Sequence, residues 1–402
     1  MVRDLRVVPV GDPMRFLAEL RRVLANDGPA LLPVPDEPGA VPSRGDLGRV
    51  PRNVAVVIET SGSTGRPKRV MLSTDALLAS AAASGVHLGG DGQWLLALPA
   101  HYIAGVQVLV RSIAAGTEPV LLPPGHFDPA VFAAHAGRLT EPLRFTSLVP
   151  VQLARLLDAA PGDSALLTVL RRFTGILVGG QAVSAELIGR AEALGVRVVR
   201  TYGSSETAGG CVYDGAPIGN AVVRTVDGQL EISGSMLAEG YLGDEDLTGE
   251  RFVEHDGVRW YRTGDLGAVA PDGTVSVTGR ADNVIISGGE KVSLDAVERL
   301  VRTLPGLGDA CVVRAADAVW GEVPIVVVAA GLPGAGVRGA VVPELETVRG
   351  SVAAGLGPAA RPARIVTVPA VPLLASGKPD RRALQALVGA AALDSGQAPT
   401  AD

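Results

Sequence analysis

The sequence predicts an α/β protein: a large N-terminal domain of parallel-rich α/β layers plus a β section, followed by a small α+β C-terminal domain. Three features of the 402-residue chain predict it. Between residues 53 and 203 short apolar runs alternate with helical patterns, as expected of a largely parallel sheet covered by helices. After about residue 210 Asp-Gly pairs stand between alternating apolar residues, a hairpin pattern. From about residue 283 strand–helix alternation begins again and runs for about 105 residues, enough for a small domain of its own.

The elements follow in order. PMRFLAELRRVLAN (13–26) has the apolar spacing of an amphipathic helix, and a Pro/Gly/Asp-rich loop covers 33–50. NVAVVIET (53–60), QWLLALP (93–99), EPVLLP (118–123), RFTSLVP (144–150), GILVGG (175–180) and VRVVRTYG (196–203) are short, apolar and β-branched enough for buried strands. Helices are expected near 73–84, 102–115, 128–137, 150–158 and 184–194. VRTVDGQLEIS (223–233) and GAVAPDGTVSVTG (267–279) are hairpins turning at Asp-Gly. SLDAVERLVRTL is a helix with Ser293 as its N-cap, followed by strands in DACVVRA, VPIVVVAAG and ARIVTVPAV and further helices. In such a sheet the functional loops belong at the carboxyl ends of the strands.

Composition narrows the function. Hydrophobic residues make up 47% and charged residues 19%, so the chain is globular, and aromatics at 3% leave the cores to Val, Leu, Ile and Ala. The net charge of −6 argues against nucleic-acid binding, which needs a basic face. Cys211 and Cys311 lie far apart in apolar settings, as buried thiols of a reducing cytoplasm would, and no Cys/His cluster has zinc spacing. The N-terminus lacks the apolar core of a signal peptide, and no apolar run is long enough for a membrane span.

Four clusters carry chemistry. TSGSTGRPK (60–68) holds Thr60, Ser61, Gly62, Ser63, Thr64, Gly65 and Lys68 after an apolar strand. Its glycines and hydroxyls suit a phosphate cradle, and equally a flexible turn. The spacing is not that of a nucleoside-triphosphate P-loop, because Arg-Pro separates Gly65 from Lys68. TYGSSETAGG (201–210) offers Tyr202 for stacking, Ser205 for an oxygen contact and Glu206 for a divalent cation, or is a solvated strand-end loop. YRTGDLG (261–267) places Asp265 where a carboxylate accepts two hydroxyl hydrogen bonds, and GRADNVIISGGEKVS (279–293) adds Arg280. ASGKPDRRAL (375–384) carries Lys378 between glycine and proline. Of 36 basic residues only Lys68, Lys291 and Lys378 are lysine, and all three adjoin glycine-rich loops. A site needing one mobile point charge is poorly served by the planar fork of arginine.

In this order the clusters resemble the adenylate-forming superfamily of acyl- and aryl-CoA ligases, peptide-synthetase adenylation domains and luciferases, from about residue 53 to 388. The resemblance implies that ATP activates a carboxylic acid as an acyl-adenylate, releasing pyrophosphate, and that the acyl group then passes to a thiol. Residues 60–68 would hold the β- and γ-phosphates. Gly180, Gln181, Tyr202 and Gly203 would surround the nucleotide, and Ser205 would contact the α-phosphate. Glu206 would bind Mg2+, Asp265 and Arg280 the ribose. Lys378 would bridge the α-phosphate and the attacking carboxylate, worth roughly 3–4 kcal/mol for one such donor. The resemblance divides the chain into an adenylation domain (1–281), a small mobile domain (282–388) and a tail (389–402), with Asp282 as the hinge. Ser287, Gly288 and Gly289 would line a tunnel for the pantetheine arm of coenzyme A. Arg69 departs from the pattern, since this loop often ends in glycine, but it lies past the anion-binding part. The oligomeric state is not in the sequence; members of the superfamily are often homo-oligomers.

LPAHYIAGVQVLVRSIAAG (98–116) and VGGQAVSAEL most resemble the 2-succinylbenzoate–CoA ligases of menaquinone biosynthesis, with His101 and Arg111 in the acid site. Arg111 ends a strongly apolar helix, where a charge asks for a partner. The second carboxylate of a dianionic aromatic acid is one candidate, and Glu118 is another. The alternatives are a ligase for another acyl or aryl acid, with coenzyme A or a carrier protein as acceptor, and a catalytically silent nucleotide-binding homologue.

Overall fold

The computed structural model describes residues 1–36, 48–60, 67–330, 342–373 and 379–394, with side chains to residue 389. The chain divides into two compact units. One comprises residues 1–225, 231–263 and 269–276; the other comprises 226–230, 264–268 and 277–402.

The α/β part of the first unit builds two sheets where the alternation predicts one. In the first, Val54–Thr60 lies between Ala30–Val34, parallel with Leu31 opposite Val56, and Lys68–Ser73, antiparallel with Thr60 opposite Lys68. Val2–Pro9, Arg49–Pro51 and Gly240–Tyr241 complete it. The second sheet runs parallel through Val120–Leu121, Gln93–Leu96, Arg144–Leu148, Gly175–Val178 and Val198–Ser204, then turns antiparallel into Gly209–Tyr213 and Ala216–Pro217. Lys68–Ser73 returns antiparallel and takes Gly240–Tyr241 on its far side, while the strands from Gln93 to Pro217 build the separate second sheet. The central strands Val54–Thr60 and Gly175–Val178 are apolar in the middle, as strands covered on both faces are. Leu153, Leu156, Leu157, Leu166 and Leu170 pack helices on the second sheet, against Leu95, Leu148, Ile176 and Val178. Helix Thr74–Leu88 starts where the Ser73 hydroxyl caps the Ala76 N–H at 3.3 Å and ends at left-handed Gly89.

The hairpin Val222–Val226 to Gln229–Ser233 turns at Asp227 and Gly228, both left-handed (φ 49° and 77°), as a two-residue type I′ turn requires. In the second unit the strands run in the order Glu290–Ser293, Val284–Ser287, Gly321–Ala329, Cys311–Asp317, with Arg364–Val368 parallel on Gly321–Ala329. Alternate residues face opposite layers. Val312, Val326 and Val328 meet helices Leu294–Val301 and Leu345–Leu356 through Val297, Val301, Val348 and Val352. Val313, Ile325 and Val327 meet Leu384 and Val388, one turn apart on helix Arg381–Asp394. Cys211 and Cys311 are free, buried thiols. Among the described residues no helix is long and apolar enough to cross a membrane.

Candidate active site

Glu206 sits where two strands of the second sheet exchange direction. Val198–Ser204 ends in the short 3-10 turn Ser205–Thr207, and the chain returns antiparallel as Gly209–Tyr213. The Ser204 Oγ accepts the Glu206 N–H at 3.2 Å, and Thr207 Oγ1 accepts the Ser204 N–H at 2.8 Å. Gly203 is required here: a Cβ would stand 2.1 Å from the Gly209 carbonyl oxygen. The turn fixes the Glu206 carboxylate, whose Oε1 accepts the Tyr241 hydroxyl at 2.9 Å. Burial, then the Glu206 charge, push the Tyr241 pKa well up, so the phenol stays a donor. Lys68 places its Nζ 5.6 Å from the Tyr241 ring centroid. Tyr241 thus contacts both Lys68 and Glu206.

Thr60 and Lys68 face each other across the base of the intervening loop, and Thr60 Oγ1 donates to the Lys68 carbonyl at 3.4 Å. Ser61, Gly62, Ser63, Thr64 and Gly65 lie outside the described residues. Arg69 is held by Glu59 at 3.1 Å. On the neighbouring edge the parallel strands Gly175–Val178 and Val198–Ser204 end side by side, which brings Gly180 and Gln181 to the level of Tyr202. A register shift between Tyr202 and Gly203 marks the place. Ser205 is buried and Tyr202 partly so. Gly180, Gln181, Tyr202 and Ser205 lie at the carboxyl ends of parallel strands, where open α/β sheets bind ligands.

In the second unit Arg280 Nη1 donates to Asp265 Oδ1 at 3.0 Å and its Nε to Asp282 Oδ1 at 3.2 Å. Burial pulls the guanidinium pKa down, but the hydrogen bonds and charges of Asp282 and Asp265 outweigh it and raise the value. The Asp282 carbonyl accepts from Arg314 Nη2 at 2.5 Å, and the Arg280 N–H goes to Asp295 Oδ2 at 2.8 Å. Asp265, Arg280 and Asp282, which lie apart in the sequence, are therefore one ionic cluster. Ser287, Gly288 and Gly289 form the hairpin between Val284–Ser287 and Glu290–Ser293. Gly288 has φ 57°, and a Cβ there would strike the Trp320 ring at 2.5 Å. Lys378 lies outside the described residues.

At the entry to helix Ile103–Ala115 His101 and Tyr102 stand with ring centroids 4.2 Å apart. Arg111, on that helix, is 6% exposed. Its Nη2 donates to the Tyr213 hydroxyl at 3.2 Å and its guanidinium lies 4.8 Å from the Trp94 ring centroid. Its Nε has no hydrogen-bond partner among the described residues. Glu118 pairs with Arg21 instead, at 3.3 Å. Tyr213, Trp94 and Tyr241 were not singled out from the sequence. The Tyr241 hydroxyl's target lies 35 residues away in the sequence. Among the described residues no group of three or more His, Cys, Asp or Glu could hold a metal alone. Glu206 as a single carboxylate matches the way Mg2+ is shared with phosphates.

Known proteins match along most of the chain. The AMP-binding enzyme model matches residues 27–242, and the AMP-binding enzyme C-terminal domain model residues 296–378. A probable 2-succinylbenzoate–CoA ligase of Mycobacterium tuberculosis is 39% identical over 94% of this chain and 96% of its own length. The 2-succinylbenzoate–CoA ligase of Bacillus cytotoxicus is 31% identical over 67% of this chain and 58% of its own. Among solved structures, the o-succinylbenzoate CoA synthetase of Bacillus subtilis in complex with its acyl-adenylate intermediate is similar with TM-score 0.68 and 25% identity, over 83% of this chain and 69% of that one. ATP-bound MatB of Rhodopseudomonas palustris, 22% identical, shares the fold with TM-score 0.73 over 96% of this chain and 79% of its own. With a family model over more than half its length and a near full-length relative at 39% identity, this chain belongs to the AMP-binding enzyme family of adenylate-forming proteins.

Proposed function

We propose that this enzyme is an ATP-dependent acid–thiol ligase that converts 2-succinylbenzoate to 2-succinylbenzoyl-CoA in menaquinone biosynthesis. The observation that carries the substrate is the 39% identity, over nearly the whole chain, to a relative named for that activity. The buried Arg111, with no carboxylate in ion-pair range among the described residues, supports a doubly charged acid.

The acid carboxylate attacks the α-phosphorus, the α–β bridging bond breaks and pyrophosphate leaves. Residues 60–68 hold the β- and γ-phosphates, Ser205 contacts the α-phosphate, Gly180, Gln181 and Tyr202 enclose the adenine, and Gly203 belongs to the same nucleotide site. Lys378 offsets the charge that builds at the α-phosphate. Mg2+, when bound, neutralises phosphate charge; Glu206 would hold it, its other hydrogen bond already given by Tyr241. Asp265 accepts the ribose hydroxyls and Arg280 orients it, while His101 and Arg111 receive the acid. In the second half-reaction the coenzyme A sulfur attacks the adenylate carbonyl and AMP leaves. A hinge at Asp282, dividing 1–281 from 282–388, exchanges Lys378 for the Ser287–Gly288–Gly289 wall.

Pyrophosphate release over a panel of acids, with and without coenzyme A, tests the assignment. 2-Succinylbenzoate should exceed benzoate, salicylate and medium-chain fatty acids. A different preferred acid overturns the specificity, release without acyl-CoA points to a carrier-protein acceptor, and no release with any acid overturns the ligase.

A further inference from the structure

We infer that Gln107 is a positioning residue for nucleotide activation, acting with Ser80 on the carbonyl of Ala208, the residue that closes the Glu206 turn. The inference rests on the reading of Glu206 as a nucleotide-side carboxylate.

Ala208 follows Glu206 by two residues and has left-handed backbone (φ 48°, ψ 36°). An L-residue with a Cβ adopts this conformation at a cost, and it persists where surrounding contacts over-determine it. Those contacts are visible. The Ala208 N–H donates to the Ser205 carbonyl at 3.1 Å. Its carbonyl accepts two side chains: Gln107 Nε2 at 2.7 Å and Ser80 Oγ at 2.9 Å. Gln107 comes from helix Ile103–Ala115 and Ser80 from helix Thr74–Leu88, so two helices grip one carbonyl.

Gln107 is 1% exposed and gives its second amide hydrogen to the Leu77 carbonyl at 3.3 Å. Both neighbours are carbonyls, so the amide nitrogen must face them. Its Oε1 is then left buried with no hydrogen-bond partner among the described residues, which is destabilising by itself. A leucine or methionine would fill the volume with no orphaned oxygen. The amide is therefore explained by what it donates to. A Cβ at Gly209 would come 3.2 Å from the Gln107 Cγ, so the side chain also lies directly against the residue after the strained one. The same helix carries Arg111 one turn further on, which gives the acid helix a direct hold on the nucleotide turn.

The test is a double-mutant cycle in the full-length enzyme with Gln107→Met and Ala208→Gly, read as kinetics of pyrophosphate release. Gln107→Met should lower kcat/KM for ATP by about tenfold, with KM for the acid changed by less than about twofold. Glycine adopts the left-handed conformation without help, so Ala208→Gly in the Gln107→Met background should recover most of the loss. Ser80→Ala should act in the same direction, by about threefold, and serves if Gln107→Met does not fold. A fall in Tm with kcat/KM for ATP unchanged overturns the inference, and so does a double variant whose losses simply add. Glu206→Gln separates the two readings: if it leaves ATP kinetics intact the assignment of Glu206 fails, whereas if it abolishes them and Gln107→Met does nothing, only the role of Gln107 fails.

Discussion

Replacing Arg111 by methionine separates a substrate-binding cation from a structural one, because the two predict opposite patterns. The change removes a ring contact at 4.8 Å, worth about 1–2 kcal/mol when desolvated, and a hydrogen bond at 3.2 Å, worth about 1 kcal/mol. It also removes a guanidinium that is 6% exposed and paired with no carboxylate among the described residues, whose burial costs several kcal/mol. Methionine fills a similar volume, and Tyr213 keeps its 2.8 Å bond to Ser84. The gains and losses offset to within about 2 kcal/mol, so Tm should move by no more than about 5 °C. An ion pair with the second carboxylate of the substrate has a different scale. Losing a charge-assisted hydrogen bond of about 1.5–3 kcal/mol raises KM by roughly 10–150-fold. Steady-state assays with 2-succinylbenzoate, with benzoate as the monoacid control, and thermal melts on the same samples give both numbers. KM should rise for the diacid alone. A large fall in Tm with KM unchanged would refute the reasoning and make Arg111 a core residue.

Lys378→Ala should lower adenylate formation by about 100-fold or more while sparing thioester formation from a supplied acyl-adenylate; equal loss of both half-reactions would count against a hinged two-step mechanism. Glu231→Gln should cost about 2–4 kcal/mol of stability with KM values unchanged, because the 3%-exposed carboxylate takes both Arg224 nitrogens (2.9 and 2.7 Å) and Arg262 (3.1 Å); an unaltered melt would show that these arginines lose nothing when the charge goes. Burial pushes the Cys211 thiol up to about 12 from an ordinary value near 9. The unfolded thiol ionises first, so the associated stability is complete below pH 9 and is lost as pH rises from 9 to 12, by about 1.4 kcal/mol at pH 10. Denaturation midpoints of wild type and Cys211→Ala should therefore converge between pH 8 and pH 10; parallel curves would contradict the shift.

Much of the fold was legible because several of its central strands are short, mostly apolar runs. Gly175–Val178 and Gln93–Leu96 are buried at every position, and such runs announce themselves. The missed elements lack that signal. Val2–Pro9 alternates, and the inward side of the alternation includes Arg3, so VRDLR looks polar. Ala30–Val34 is five residues with a proline inside. Helix Glu245–Arg251 buries none of its side chains, so no apolar stripe marks it. The return strand Lys68–Ser73 falls outside every apolar run, and its antiparallel pairing with Val54–Thr60 interrupts the parallel order that the alternation suggests.

For the site, the division between legible and hidden follows sequence separation. Glu206, Asp265 and Arg280 each sit in a short glycine-bearing string whose local geometry is encoded nearby, as the Ser204 and Thr207 hydroxyls around Glu206 illustrate. What holds those strings in place is encoded far away. Gln107 reaches Ala208 across 101 positions, Ser80 across 128, and Arg111 reaches Tyr213 across 102. In the sequence Gln107 is one polar letter in an apolar helix and Ser80 one serine among alanines. Neither spacing nor residue type distinguishes them from solvated positions. Their burial does, since a buried donor must find an acceptor, and the acceptors here are the carbonyl of a strained residue and the phenol that caps a buried arginine. The motifs thus state which chemistry is possible. Whether the carboxylate of Glu206 stands where that chemistry needs it depends on the polar seam between helices Thr74–Leu88 and Ile103–Ala115, which only the folded chain assembles.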